Sequence, residues 1–329
     1  ADLNDILPFT LERGRDYEVK VAGPGREIVR KFRSDTNAQE LLVIPLIETP
    51  LASLPSQVCY APPPIRSNLK PRDEARLREA LAAYFAATAE EQSNWQFRES
   101  LNGLLGENEP AVRHLAWEAY RSAPIHSGTK TDFDANLVRF ENHVSPYTIK
   151  EVGTRPEGGW PLFIAMHGGG GVRKEVNDRQ WQHMQIYYRE HPEVGGYLYL
   201  ALRAPNDTWN GFYDVYVYPL ISQLVRQFRL FGDVDPNKVF IMGYSHGGYG
   251  AYAIGPKMPD HFAAIHASAA AATDGETTAK PLRNTIFTAM IGEKDTMYGR
   301  YERNVRFKAA LQALRGQRND IYPADVQII

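Results

Sequence analysis

Short apolar segments alternate with amphipathic segments along the second part of the chain. Each apolar segment is nearly continuous and is bounded by glycine, proline or polar residues, which is typical of a strand buried on both faces. We predict strands at residues 137–140 and 147–152, as a hairpin, and at 161–166, 197–202, 239–242, 263–265, 286–291 and 325–329. Amphipathic segments such as 218–231 and 301–314 predict helices between them. This order predicts an α/β fold with a mostly parallel central sheet and helices on both faces.

The first part of the chain follows a different pattern, and we predict a smaller, partly helical region over residues 1–128, with the α/β domain over 129–329. Helical signals begin at Pro71, a residue suited to a helix N-terminus, and Leu77 and Leu81 follow at helical spacing. The other segments are 1–70, which predicts no definite element, the helical segments 95–105 and 115–120, and a polar linker at 122–131.

Composition and charge exclude several classes of protein. Apolar residues make up 43% of the 329 residues and charged residues 23%, as in globular rather than disordered or collagen-like chains. Lysine and arginine number 37 against 39 acidic residues, so the net charge is −2. Basic residues are therefore not in excess, and the charge does not predict a nucleic-acid partner. The longest apolar runs, residues 41–47 and 267–272, are too short to span a bilayer.

Cys59 is the only cysteine. An intrachain disulfide and a cysteine-rich zinc site are therefore excluded, and we expect a small buried side chain there. The chain begins with Ala1 rather than methionine, and no hydrophobic leader follows. We therefore expect a secreted or periplasmic protein, with a cytoplasmic location and the oligomeric state left open.

The sequence GYSHGG at residues 243–248 has the form Gly-x-Ser-x-Gly. It follows the predicted strand 239–242 and precedes a helical segment, which is the context that a nucleophile elbow requires. Glycines permit such a tight turn, and the turn would expose the hydroxyl of Ser245 at the carboxyl end of the sheet. We predict Ser245 as a catalytic nucleophile; the alternative is a glycine-rich turn whose serine caps the helix.

A second glycine-rich sequence, HGGGG at residues 167–171, ends the predicted strand 161–166. In a serine hydrolase, backbone N–H groups at this position help to form the oxyanion hole. We expect these groups to come from Gly168 and Gly169, together with the N–H of His246. A phosphate-binding loop is the alternative, but the pattern G-x-x-x-x-G-K-[ST] is absent.

The sequence GEKD at residues 292–295 follows the predicted strand 286–291. The acid of a catalytic triad lies after a strand downstream of the nucleophile, in the chain order serine, acid, histidine. Asp295 is therefore predicted to orient the histidine and to stabilise its charged form. Glu293 and Asp274 are the competing carboxylates.

These motifs, with RAP at residues 203–205 and DPNKV at 235–239, resemble the α/β-hydrolase fold serine esterases. The order of motifs is similar to the polyhydroxybutyrate-depolymerase-like and feruloyl-esterase-like carboxylesterases, and Ser-x-Gly-Gly-Tyr also resembles the prolyl oligopeptidase family. The resemblance covers residues 137–329. It implies an α/β-hydrolase fold and hydrolysis of a small-molecule or polymeric ester through an acyl-enzyme, with no metal or organic cofactor.

The sequence departs from this pattern at the triad histidine. The nine histidines lie at positions 114, 126, 143, 167, 183, 191, 246, 261 and 266, and none follows Asp295. We expect the histidine to lie beyond Ile329, so that residues 1–329 are a truncated form of a longer enzyme and are weakly active or inactive alone. Among the histidines present, His266 is the best substitute, whereas His167 is expected to be structural and His246 to face the pocket wall.

The aromatic residues Trp209, Phe212 and Tyr213 follow the predicted strand 197–202. They are expected to overhang the same edge of the sheet, where they would line a substrate pocket or else pack at the start of the next helix. Two other functions stay open. One is a serine peptidase of the oligopeptidase type, although residues 1–128 are too few for a β-propeller. The other is a non-catalytic binding protein on a hydrolase fold.

Overall fold

The computed structural model describes residues 15–23, 26–33, 69–191 and 195–329. Cys59 and the apolar run 41–47 lie outside the described residues. The chain divides into two compact units, residues 1–59 and 60–329.

In the first unit, strands β1 (Asp16–Gly23) and β2 (Arg26–Arg33) form an antiparallel pair. No element was predicted for these residues. The signal was present, because Tyr17, Val19 and Val21 alternate with charged residues at the period of a strand.

The second unit begins with a group of helices. They are α1 (Pro71–Ala86), α2 (Ala89–Ser93), α3 (Glu99–Glu107), α4 (Glu109–Arg121) and α5 (Ser127–Asp134). Leu77, Leu81, Leu101 and Leu115 pack together as a small buried cluster. The predicted helices from Pro71 and over 115–120 are confirmed. The predicted segment 95–105 is helical only from Glu99, since residues 95–98 form no helix.

The prediction of a polar linker over residues 122–131 is wrong. Residues Pro124–His126 form a short 3₁₀ turn and α5 follows directly. Thr131 bonds back to the carbonyl of Ser127 at 3.1 Å, and the ring of Phe133 packs against Phe228 at 5.2 Å. Tertiary packing therefore overrides the weak helix propensity of these small polar residues.

Eight of the described strands form one sheet. They are β3 (Leu137–Phe140), β4 (His143–Val152), β5 (Trp160–Met166), β6 (Tyr197–Leu202), β7 (Val234–Tyr244), β8 (Ala264–Ser268), β9 (Ile286–Ile291) and β10 (Ala324–Ile328). Their spatial order is β10-β9-β8-β7-β5-β6-β4-β3, and β4 is the one strand of this sheet that runs in the opposite direction to the others. This order and direction are those of the α/β-hydrolase fold, as the motifs predicted.

Helices cover both faces of the sheet. They are α6 (Lys174–Tyr187), α7 (Val217–Phe231), α8 (His246–Lys257) and α9 (Arg300–Arg315). On one face Ile164 and Leu200 join a core with Leu220 of α7, and on the other face Ala165 packs with Met184 of α6. Strand β6 is buried along its whole length, which explains its uninterrupted apolar sequence.

The register of the parallel strands brings several loops to one edge of the sheet. Met166 lies beside Gly243, and Tyr244 beside Ser268. The chain leaves each of these strands at its carboxyl end, so the segments that follow β5, β7 and β8 meet there. Within the described part of the chain, no helix is long and apolar enough to cross a membrane.

Candidate active site

Ser245 lies between the end of β7 and the start of α8. Its backbone has φ of 51° and ψ of −112°, a strained conformation for a residue with a side chain. The N–H of Ser245 donates to the carbonyl of Ser268 at 2.9 Å, which holds the turn against β8. The side chain is half-buried, so the hydroxyl stands at the sheet edge rather than in the core.

Glycine is required where the elbow approaches its neighbours. A side chain at Gly243 would collide with the backbone of Gly247, and a side chain at Gly247 would collide with the backbone of Met166. The N–H of Gly247 donates to the carbonyl of His167 at 2.9 Å. The glycines therefore let α8 pack directly on β5 and join the elbow to the second glycine-rich segment.

His167 anchors that segment, which we call the glycine loop (residues 167–171). Its Nε2 accepts the N–H of Ala204 at 3.1 Å, so the ring proton is on Nδ1, which donates to the carbonyl of Gly168 at 2.5 Å. The residue is fully buried, and burial lowers the pKa of His167 to about 3. The ring is therefore neutral at physiological pH and acts as a fixed support, as the sequence predicted.

Asn177 of α6 holds the other end of the glycine loop. Its Oδ1 accepts the N–H of Gly170 at 2.8 Å, while its amide group donates to Asp207 at 2.9 Å and to the carbonyl of Val172 at 3.2 Å. Asp207 in turn forms an ion pair with the buried Arg203. The N–H of Gly170 is therefore already used, whereas no hydrogen bond from the backbone N–H of Gly168, Gly169 or Gly171 forms among the described residues.

Arg203 connects this network to the adjacent strand and helix. Its Nε donates to Asp178 of α6 at 3.0 Å, and Nη1 donates to the carbonyl of Ala204 at 3.1 Å. Burial raises the pKa of Asp207, but hydrogen bonds from Arg203 and Asn177 outweigh it, and the pKa lies below its ordinary value. The charges are therefore paired inside a closed network that supports the glycine loop.

His246 directly follows Ser245, and its ring forms part of the wall behind the glycine loop. Its Nε2–H donates to the carbonyl of Trp209 at 2.8 Å, and burial lowers the pKa of His246 to about 4. The ring packs 5.0 Å from that of Phe212. As the first residue of α8, His246 has a backbone N–H that lacks an acceptor within the helix. Its backbone N–H can therefore donate to a ligand, whereas its side chain is held by the carbonyl of Trp209 and by the ring of Phe212.

Asp295 lies in the loop after β9, and an arginine links it to the nucleophile. Arg300 donates from Nη1 to Asp295 at 3.2 Å and from Nη2 to Ser245 Oγ at 3.3 Å. The two competing acids lie differently. Glu293 is exposed, and the side chain of Asp274 is 89% exposed beside Arg303, with 3.8 Å between the charged atoms. Of the three carboxylates, Asp295 is the one that the structure joins to Ser245.

The histidines named as substitutes for a base bond elsewhere. His266 lies inside β8, where its Nδ1 meets Thr288 Oγ1 at 2.8 Å, and burial lowers its pKa. His167 and His246 are held by the bonds described above. In the part of the chain that the structure describes, the hydroxyl of Ser245 bonds to Arg300 and not to a histidine.

The three aromatic candidates lie at different depths. Trp209 is 43% exposed, and its ring lies 5.5 Å from Tyr249 and 5.7 Å from Tyr298. Tyr213 is half-buried, whereas Phe212 is fully buried beside His167 and His246. Trp209 is therefore the member of the set that faces solvent at the sheet edge, with Tyr298 beside it.

Sequence reasoning missed Asn177, Asp207 and Arg300. Two of them carried a local signal. Asn177 is a residue of low helix propensity inside a helix, and Arg300 is a cation at a helix N-terminus, where the helix dipole disfavours positive charge. Such locally unfavourable residues indicate tertiary partners. Among the described residues, no group of three or more His, Cys, Asp or Glu side chains could hold a metal ion.

The fold and the elbow together define an α/β-hydrolase domain. Models of protein families gave no match to the sequence, and neither did the curated proteins. Solved structures do resemble it. A thermostable esterase has 17% identity and a TM-score of 0.46, over 59% of this chain and 54% of the esterase. A ferulic acid esterase has 16% identity and a TM-score of 0.43, over 58% of this chain and 86% of its own.

A poly(3-hydroxybutyrate) depolymerase from Bordetella parapertussis has 16% identity and a TM-score of 0.37, over 57% of this chain and 82% of its own. The chain thus spans about half of the thermostable esterase. At these identities the likeness concerns the fold alone.

Proposed function

We propose that the protein is a serine hydrolase that cleaves carboxylic esters through an acyl-enzyme. The observation that carries the proposal is the strained conformation of Ser245 at the edge of the sheet where the glycine loop begins. A strained backbone costs free energy and persists only where the surrounding contacts hold the residue in place. Residues of this kind cluster at active sites. A serine that only capped a helix would need neither this conformation nor the neighbouring loop.

In the proposed reaction, Ser245 Oγ attacks the ester carbonyl and its proton passes to a general base. The N–H groups of Gly168, Gly169 and His246 would stabilise the negative charge on the former carbonyl oxygen. The base then returns the proton to the departing alcohol, which leaves the acyl group on Ser245. Water hydrolyses this acyl-enzyme by the same steps and restores the serine.

We further propose that the general base is a histidine outside residues 1–329, oriented by Asp295. The carbonyl of Ile329 accepts the N–H of Glu293 at 2.7 Å, so position 329 lies beside the loop that carries Asp295. Asp295 Oδ2 bonds to Arg300, and Oδ1 accepts no hydrogen bond from the described residues, so a second donor could bind there. The natural gene should encode a histidine soon after Ile329. A gene without one would contradict this proposal.

The pocket that we propose for the substrate lies between the glycine loop and the exposed rings of Trp209 and Tyr298. Both rings are exposed and lie 5.7 Å apart, and Tyr298 lies over Arg300, which bonds to the hydroxyl of Ser245. Tyr213 lies deeper along the same segment, and Phe212 supports it from the core.

Comparison of ester with amide turnover by the full-length natural protein tests the proposed reaction. The substrates are p-nitrophenyl acyl esters and p-nitroanilides of matched aminoacyl groups. We expect ester turnover that is abolished by Ser245→Ala and unaffected by Ser93→Ala, because Ser93 is an exposed serine in the helical region. Amide turnover exceeding ester turnover would indicate a peptidase. Absence of both activities, together with an unreactive Ser245, would indicate a non-catalytic binding protein.

A further inference from the structure

Arg300 is a buried cation at the candidate nucleophile. Its side chain is 9% exposed, and its guanidinium donates three hydrogen bonds. These go to Ser245 Oγ at 3.3 Å, to Asp295 Oδ2 at 3.2 Å and to the hydroxyl of Tyr249 at 3.2 Å. One planar group therefore spans the nucleophile and the acid, which the chain separates by fifty positions.

The local structure does not account for a cation at this position. Arg300 is the first residue of α9, where the aligned peptide dipoles disfavour positive charge, and burial adds a further penalty. The compensation comes from the site itself. Asp295 supplies the opposite charge, and the rings of Tyr249 and Tyr298 lie 5.6 and 5.5 Å from the guanidinium carbon.

The backbone beside Arg300 is also strained. Tyr298 has φ of 58°, in the left-handed region that aromatic residues rarely adopt. This conformation directs the chain from Asp295 into α9 and places the ring of Tyr298 over Arg300. Burial lowers the pKa of Arg300, but the hydrogen bonds that it donates to Tyr249 and Asp295 more than offset this, so its pKa lies above the ordinary value and the group stays charged.

We propose that Arg300 is a catalytic residue that stabilises negative charge on Ser245 Oγ and fixes the nucleophile relative to Asp295. This inference rests on the proposed function. When Ser245 gives its proton to the base, charge develops on Oγ, and a hydrogen bond from a cation strengthens as its acceptor becomes charged. The same charge returns when Oγ departs from the acyl group in the second half of the reaction.

Arg300 takes no proton in either step, because guanidinium groups stay protonated in proteins. Its contribution is electrostatic and geometric. An arginine fork can bond two acceptors at once, whereas a lysine ammonium is a single point charge. The bonds to Ser245 and to Asp295 use different nitrogen atoms of the fork, so a lysine, whose donors share one nitrogen, would not reproduce this geometry.

The test is the rate at which a fluorophosphonate probe modifies Ser245 in the full-length natural protein. The variants are Arg300→Ala and Arg300→Lys, with Arg303→Ala as the matched control. Arg303 lies one turn along α9, where it bonds the carbonyl of Ala272 and pairs with Asp274. We expect Arg300→Ala to slow modification about 10- to 100-fold, since a hydrogen bond to a charged group is lost. Arg303→Ala should match the wild type.

Added guanidinium ion at a concentration below that which denatures the protein distinguishes catalysis from a purely structural role. It should restore part of the rate in Arg300→Ala and none in Arg300→Lys, whose side chain fills the space. If the probe modifies Ser245 of the Arg300→Ala variant at the wild-type rate, the inference is overturned and the proposed function is left intact. A slow rate without rescue, accompanied by a lowered melting temperature in both Arg300 variants, would show a structural role and also overturn it. A wild-type protein unreactive at Ser245 would overturn the proposed function and the inference together.

Discussion

The side-chain oxygen of Asn177 accepts the backbone N–H of Gly170 at 2.8 Å, so a residue of α6 fixes the shape of the glycine loop. The amide group of Asn177 is held in turn by Asp207 and by the carbonyl of Val172. The side chain is 1% exposed, and each of its bonds replaces one that water would otherwise make.

Replacement of Asn177 by aspartate should therefore weaken both the fold and the reaction. The variant Asn177→Asp keeps an acceptor for Gly170 but loses both donors and places a second carboxylate beside Asp207. We expect a free energy of unfolding lower by about 1–3 kcal/mol, because buried groups lose their partners, and ester turnover reduced at least about tenfold. Urea denaturation and steady-state kinetics measure the two effects. The control Gln182→Glu makes the same charge change at an exposed position of α6 and should alter neither.

Substitution in the glycine loop separates backbone strain from steric collision. Gly170 has φ of +74°, and a β-carbon there would lie 2.5 Å from the ring of His246. Gly275 has φ of +81° with no atom within 4 Å of such a carbon. Gly275→Ala should destabilise the protein by only about 1–2 kcal/mol, the strain of a left-handed residue. Gly170→Ala should destabilise it more and should also lower ester turnover. Equal effects of the two substitutions on stability and turnover would contradict this account of the loop.

The two carboxylates of the loop after β9 should differ sharply in their effect on rate. Asp295→Asn should lower kcat by about 10⁴-fold, since an amide cannot hold the histidine in the required tautomer. Glu293→Gln should leave kcat near the wild-type value because that side chain is exposed. Steady-state kinetics of the two variants with one ester decides the matter. A larger loss in Glu293→Gln would reassign the acid.

Buried histidines should make the fold sensitive to mild acid. Burial lowers the pKa of His167 to about 3 and that of His246 to about 4, against 6.5 for an exposed histidine. Below about pH 6.5 the unfolded chain binds protons that the folded chain does not, so the free energy of unfolding falls as pH falls. Each of the two groups contributes a slope of about 1.4 kcal/mol per pH unit until its folded pKa is reached.

Urea unfolding midpoints measured from about pH 7 to about pH 5 test this expectation. The pKa values of His126, His261 and His266 are also lowered by burial and act in the same direction. The variant His183→Gln alters an exposed histidine and should retain the wild-type slope. A midpoint that stays constant or rises with acid would contradict the assignment of neutral, buried rings.

The positions of strands along the chain could be predicted from the sequence because buried parallel strands leave uninterrupted apolar runs. Strands β6 and β9 have the bounds that the pattern predicted. Strand β7 is longer than predicted because it begins at the buried Val234, which pairs with Trp160 of β5, and the mostly polar residues 235–238 separate Val234 from the apolar run. The prediction for segment 122–131 was wrong because helix α5 is stabilised by the packing of Phe133 against Phe228 of α7. A tertiary contact of this kind is not part of the local helix propensity.

The site was predictable only where a motif has a fixed local geometry. Ser245 and the glycine loop are defined by a strand, a turn and a helix, so the sequence indicated them directly. Asn177 and Arg300 reach the site from helices whose positions depend on the whole sheet. Arg300 meets Ser245 from 55 positions further along the chain, and Asn177 bonds to Asp207 across 30 positions. Such contacts follow from tertiary packing, which no short pattern encodes.

The most direct test of the central claim is the site of covalent modification by a fluorophosphonate probe in the full-length natural protein. Peptide mapping should place the label on Ser245, and Ser245→Ala should abolish it. Ser268→Ala, at the serine whose carbonyl supports the elbow, should retain it. Label on another serine, or a wild-type protein that takes none, would contradict the assignment of Ser245 as the nucleophile.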